Sequence, residues 1–186
     1  MPRKKKTDET APVAAQVRDD ERDGVATGEA EAETKVAQAV VFRLDEQRYA
    51  LPIASVQEIQ QIVEFTPVPG GSAALVGMID LRGGVVPAID VRALVGMPVR
   101  DYTLDTPMIF LHTHHRLVAL LVDAVEDVID LPEGCMQPPS NLYALAERML
   151  GICKVDAGLV VVLDPDRLVP DAALASVDLF VEEGAR

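Results

Sequence analysis

The chain has 186 residues, 49% of them apolar but only 4% aromatic and none Trp, and it sets 17 Lys plus Arg against 30 Asp plus Glu for a net charge of −13. That length holds one ordinary domain or two very small ones around an aliphatic core. The negative field argues against nucleic acid and anionic lipid as partners, and no run of apolar residues is long enough to span a membrane.

Residues 1–38 begin "MPRKKKTDET", a basic stretch with no apolar segment after it, so they do not read as a secretory signal. Phe, Tyr, Leu and Ile are all absent from them, and seven basic side chains face nine acidic ones. Such a stretch buries too little to offset the entropy of ordering. It is expected to be a disordered leader whose removal leaves the folded core intact.

From residue 39 the texture changes. "AVVFRL" and "QRYALP" read as two strands about the turn "DEQ". In "IASVQEIQQI", Ile53, Val56 and Ile59 fall at helical spacing and predict a short amphipathic helix or turn. "TPVPGG" is punctuation. "LVGMIDL" and "GVVPAI" are two further apolar runs about a Gly-Gly turn, and "DVRALVG" opens with Asp90 as a helix cap and closes with Gly96.

"HTHH", residues 112–115, holds every histidine. His112 and His114 would share a strand face and could meet one metal ion, the basis for a metal-dependent enzyme. No third ligand is near in sequence, and the stretch sits where a hairpin turn is due, so His112, His114 and His115 read as an exposed turn and no metal is expected. Asp123, Glu126, Asp127 and Asp130 form a carboxylate cluster that reads as solvated strand edges. Cys135 and Cys153 are too few for a disulfide framework and read as two thiols in a reducing cytosol.

No serine lies in a "GxSxG" context and no glycine-rich loop leads into a helix, so neither nucleophilic nor phosphate chemistry has a frame. The chain is expected to be no enzyme and to need no cofactor. Residues 171–186 are expected to form a C-terminal helix or tail.

The chain also matches itself. "VGMIDLRGGVVPAIDVRALV" (76–95) aligns without a gap over "LGICKVDAGLVVVLDPDRLV" (150–169), with identity at Gly77/Gly151, Gly84/Gly158, Val86/Val160, Asp90/Asp164, Leu94/Leu168 and Val95/Val169. With one inserted residue, Phe42, Arg48, Ala50-Leu51 and Val56 meet Phe110, Arg116, Ala119-Leu120 and Val125. This is an internal duplication. Short strands with regular turn signals predict an all-β fold of small barrels or sandwiches, with the two copies buried against each other. Where the copies agree, the fold is the cause. Where copy one carries a charge that copy two lacks, a site is indicated. Arg82 meets Asp156 and Glu58 meets Asp127, so copy one alone has the makings of a Glu58–Arg82 ion pair.

These segments, in this order over about residues 38–170, resemble the CheW-like domain of bacterial chemotaxis coupling proteins. The resemblance implies an all-β fold with short helices, built as two pseudo-repeated five-stranded barrel subdomains that interleave within one domain at residues 39–170. It implies a non-catalytic, cytoplasmic adaptor that links the cytoplasmic tip of transmembrane chemoreceptors to the regulatory domain of a CheA-type histidine kinase in an array at the membrane. The alternative is a scaffold of the same fold in another chemosensory pathway, such as twitching or surface sensing, or with a non-receptor partner. By the resemblance, Glu58 and Arg82 are a charged pair that shapes receptor coupling, with Val56 and Ile59 beside them on the same surface. Ile53 and Gly77 would lie near a kinase contact. The family has Asn where this chain has Asp80, and the added carboxylate is expected to compete with Glu58 for Arg82.

Overall fold

A computed structural model describes residues 38–139, 145–156 and 158–184, without the side chains of residues 178–184. The expected leader lies outside these residues except for Gln38, which begins the first strand.

The first half of the chain forms the hairpin β1 (Gln38–Leu44) and β2 (Gln47–Pro52), strand β3 (Val56–Gln61), the hairpin β4 (Leu75–Leu81) and β5 (Gly84–Asp90), and one turn of helix, α1 (Val91–Leu94). The second half repeats the order with the hairpin β6 (Pro107–His112) and β7 (Leu117–Leu121), β8 (Ala124–Asp130), a two-residue β9 (Met136–Gln137), the hairpin β10 (Met149–Val155) and β11 (Gly158–Leu163), and α2 (Pro165–Leu168). A longer helix, α3 (Asp171–Gly184), follows.

The duplication is thus real in the chain order, but each copy does not make its own barrel. The six-stranded sheet runs β8-β1-β2-β11-β10-β9 and the five-stranded sheet β3-β6-β7-β5-β4. The first hairpin of copy one lies parallel to β11 of copy two, Tyr49 opposite Val161. The first hairpin of copy two lies parallel to β5 of copy one, Ile89 opposite Leu120. Each sheet therefore takes one hairpin, β1-β2 or β6-β7, from one copy and all its other strands, the edge strand β8 or β3 included, from the other. Each then closes on itself, because the chain leaving that strand crosses to the far edge: Thr66 bridges to Met78 of β4, and β9 pairs with β10.

The closures explain the repeated glycines Gly77 and Gly151. Both sit at a β-bulge, and a Cβ on Gly77 would stand 2.6 Å from the Thr66 carbonyl oxygen, one on Gly151 2.6 Å from that of Gln137. Only a residue without a Cβ lets the closing segment come this near.

Strand alternation sorts the apolar side chains into three clusters. Ala39, Val41, Ala50, Val160 and Val162 fill the six-stranded barrel. Ile79, Val86, Ala88, Met108, Phe110, Ala119 and Leu121 fill the five-stranded one. The opposite faces, Phe42, Leu44 and Leu51 from one sheet and Ile89, Ile109, Leu111 and Leu120 from the other, meet in a central cluster closed by Leu168 and, from α3, by Leu174 and Val177. A fully buried Leu, Ile or Phe contributes about 1.5–3 kcal/mol, so this shared cluster is what welds two marginal barrels into one unit.

Three expectations are corrected. Residues 53–59 are not a helix: Ile53–Ser55 form a single 3-10 turn, and β3 follows. The three-residue spacing arises because β3 bulges between Val56 and Glu58, so that Val56, opposite Leu111, and Ile59, opposite Ile109, share a face. Cys135 and Cys153 are not free thiols but a disulfide, because β9 on β10 brings their Cα atoms to 5.1 Å. The carboxylates of 123–130 are not merely solvated: Asp123 takes hydrogen bonds from Arg92 and from the backbone of Asp45, and Glu126 pairs with Arg43 and Arg48. Among the described residues no helix is long and apolar enough to cross a membrane.

Candidate protein-docking surface

Leu81 and Gly84 end β4 and begin β5, so Arg82 and Gly83 alone make the turn. Both have positive φ, +55° at Arg82 and +84° at Gly83. A two-residue hairpin with both central residues left-handed suits Asn-Gly or Asp-Gly. Copy two has Asp156 at the equivalent place. Arginine gains nothing from this backbone and pays steric strain for it. Its side chain is three-quarters exposed, yet it reaches back to the edge strand, where Nη2 donates to Oε2 of Glu58 at 2.7 Å. The pair spans the seam between β3 and β4, the two edges of the five-stranded sheet.

Asp80 does not compete for Arg82. Its Oδ1 accepts from the backbone N–H of Gly83 at 2.8 Å, which ties the carboxylate into the turn. Asn could accept the same bond, so the exchange of Asn for Asp costs the turn nothing and adds a charge beside it.

The remaining expected residues scatter around this pair. Glu58 lies opposite Phe110 and Ile59 opposite Ile109, and neighbours in a strand face opposite ways, so Val56 and Ile59 lie on the other face of β3 from Glu58. Val56 packs on the central cluster, whereas Ile59 is 42% exposed. Ile53, in the 3-10 turn, is 38% exposed. Gly77 is buried beneath Thr66 and Phe65, so its service is to barrel closure, and a partner would touch its neighbours instead. Val63 and Val85 are also exposed, so the five-stranded barrel carries separate exposed apolar side chains as well as the exposed ion pair. That composition suits docking to another protein, with apolar anchors and a charged element that sets register.

The sequence reading missed a second polar centre. Arg92 of α1 is 4% exposed, and its guanidinium donates to both Asp123 oxygens, to Asp45 Oδ1 at 2.5 Å and to the Pro98 carbonyl at 3.0 Å. Arg100 closes the ring on Asp45 and Asp123. Asp45 comes from the β1–β2 turn, so the ring bolts the six-stranded sheet to the helix that follows the five-stranded one. Burial pushes the Asp123 carboxyl upward, but hydrogen bonds from Arg92 and Asp45 and the charges of Arg92 and Arg100 outweigh it and hold the group below its ordinary range. The hydrogen bond with Asp123 raises Arg92 further, against burial.

The other hairpin turn also meets a one-turn helix: His114 donates its backbone N–H to Asp166 and sets Nδ1 3.2 Å from that carboxylate, and Asp166 is aligned with Arg92. The histidine-rich turn is therefore the partner of α2. Among the described residues no three His, Cys, Asp or Glu gather as a metal site would need.

Asp90 and Asp164 both cap helices, as expected. Asp90 Oδ1 accepts from the Ala93 N–H and Asp164 from those of Asp166 and Arg167. Asp90 also accepts from the Tyr102 hydroxyl at 2.7 Å, and burial together with this carboxylate pushes the phenol above its ordinary value.

Comparison with known proteins agrees with the geometry. The profile of the CheW-like domain family matches residues 38–173. A chemotaxis protein CheW of Rhizobium meliloti is 30% identical over 133 residues, 70% of this chain and 86% of that protein. One of Klebsiella aerogenes is 29% identical over 148 residues, 78% of this chain and 89% of that protein. The crystal structure of a scaffolding protein, TtCheW of Thermoanaerobacter tengcongensis, superposes with a TM-score of 0.67 at 30% identity, covering 71% of this chain and 91% of that one.

Proposed function

The chain belongs to the CheW-like family and is a coupling adaptor of chemotaxis, and from that premise we propose that it couples by docking, without bond-making, the cytoplasmic tip of a chemoreceptor to the regulatory domain of a CheA-type histidine kinase. The work is done in the cytoplasm, at the inner face of the membrane where receptors gather. The receptor contact is on the five-stranded barrel, where Glu58 and Arg82 set register and Ile59, with Val56 behind it, supplies apolar anchorage. Asp80 fixes the turn that presents Arg82. The kinase contact lies nearby, around Ile53 and the neighbours of Gly77.

One observation carries this reading. Arg82 occupies a left-handed turn position that suits its copy-two counterpart, Asp156, better, and uses it to hold a guanidinium over Glu58. A residue kept against the preference of its backbone points to a role outside the fold.

The test is co-sedimentation with receptor-bearing membranes, with and without the kinase. Wild-type protein is expected to pellet with receptor and to carry kinase with it, whereas Arg82→Asp loses receptor-dependent pelleting while keeping its fold. Equal pelleting of the two proteins would remove Arg82 from the interface. Failure of the wild type to bind receptor at all would point to another partner.

A further inference from the structure

The two barrel seams are closed by different chemistry. The five-stranded barrel uses the Thr66–Met78 backbone bridge and the Glu58–Arg82 ion pair. The aligned places in copy two hold Asp127 and Asp156, two acids that cannot form such a pair. Its closing strand, β9, is two residues long, with Met136 opposite Cys153 and Gln137 opposite Ile152. The disulfide from Cys135 to Cys153 lies at this join. Copy one has Ile79 where copy two has Cys153, so the cross-link is a substitution made in one copy only.

The two sulfurs differ in surroundings. Cys153 is fully buried, in the cluster of Ala39, Val41, Ala50, Leu131, Val160 and Val162, whereas Cys135 is half-buried and packs at its margin. Around the cross-link, Cys135 also donates its backbone N–H to the Pro132 carbonyl, and Leu131 is buried. The two residues of β9 pair this stretch with β10.

We propose that the Cys135–Cys153 disulfide is a redox-operated staple: formed, it holds β9 on β10 and keeps the six-stranded barrel shut; reduced by a dithiol, it lets the 131–139 segment lift away while the Glu58–Arg82 seam stays closed. In the reduction, a thiolate of the dithiol attacks Cys135 Sγ, the more accessible sulfur, and the bond to Cys153 breaks. Cys153 leaves with the electron pair and takes up a proton. The second thiol of the reductant then displaces Cys135, which is protonated in turn. The reductant ends as its own disulfide, two electrons and two protons having passed to the protein. Cys153 is fully buried, so exchange is expected to be limited by opening of β9.

The test uses the full chain, oxidised or treated with dithiothreitol. Alkylation counts thiols, and hydrogen exchange reads peptides covering 131–139 and 149–155, with 76–90 as the internal reference. No alkylatable thiol before reduction and two after, with exchange in the first two regions rising about tenfold or more and the reference unchanged, supports the staple. Cys135→Ser, which leaves the buried Cys153 in place, is expected to match the reduced protein with or without dithiothreitol. Two free thiols that survive treatment with oxidised dithiothreitol would overturn the proposal. So would unchanged exchange at 131–139 on reduction, or an equal rise at 76–90.

Discussion

Arg82 donates to Glu58 across 2.7 Å from a backbone held at φ +55°. A left-handed non-glycine residue costs about 1 kcal/mol or more, and an exposed ion pair returns roughly 0–1 kcal/mol. The arrangement does not favour stability, so stability and coupling should separate on mutation. Arg82→Gly is expected to melt at or slightly above the wild-type temperature, and Arg82→Asp close to it. Both should lose kinase activation in an array reconstituted from receptor, kinase and adaptor. A clear fall in melting temperature for Arg82→Gly would mean the ion pair matters to the seam more than the turn strain does.

Gly77 and Gly151 are fold residues, and the substitution of either by Ala should show it. The added methyl meets a backbone carbonyl in each case, Thr66 or Gln137, and backbone cannot swing aside as a side chain can. Each variant is expected to lose about 1–3 kcal/mol, read as a melting point lower by about 2–4 °C for every kcal/mol in a protein of this size. Gly83→Ala also strains a positive φ but meets no atom, so it should cost less than Gly77→Ala. Equal losses would mean that the close approach at Gly77 costs no more than the backbone strain at Gly83.

Removal of Arg92 leaves Asp45 and Asp123 facing each other with only the exposed Arg100 between them. Arg92 is buried but both carboxylates keep some solvent, so the loss is expected to be about 1–3 kcal/mol. Arg92→Ala should therefore be clearly destabilising, and Arg92→Lys only a partial rescue, since an ammonium cannot serve both carboxylates and the Pro98 carbonyl in one plane. Denaturant midpoints decide this.

The same ring sets an acid limit. The folded Asp123 carboxyl lies below its ordinary value of 3.8, so its contribution is fully present above about that pH and is lost as pH falls from there through the lowered value. Asp123→Asn has no such carboxyl and should show a flatter decline of stability below pH 4 together with lower stability at pH 7. Parallel acid limbs for the two proteins would remove Asp123 from the pH dependence.

Asp90 closes the helix end and accepts from a half-buried phenol at once. Asp90→Ala should cost more than an ordinary cap, which is worth about 0.5–2 kcal/mol, because the Tyr102 hydroxyl also loses its acceptor. The double change Asp90→Ala with Tyr102→Phe is expected to recover part of the loss, measured as a non-additive cycle of melting free energies.

The duplication, the hairpins, the two Asp caps and the glycine pairs are legible in the chain because each is a local rule: alternation over a few residues, a side-chain oxygen three positions before an N–H, a turn that wants positive φ. The contrast between Arg82 and Asp156 could be read for the same reason, since aligned copies subtract what the fold alone requires. The face of β3 could not. A bulge at Gln57 mimics helical spacing, and a one-residue slip in register exchanges the faces of a strand.

What the sequence determined by itself is therefore the list of elements, their repeat, and which charges have no counterpart. Only the tertiary structure decided that the copies exchange their first hairpins, that Arg92 meets Asp45 and Asp123, and that Cys135 reaches Cys153. Those contacts join elements far apart in the chain, and their partners are chosen by sheet order and barrel closure. No pattern of neighbours along the chain encodes that choice, because it is made by the burial of two barrels against one shared core.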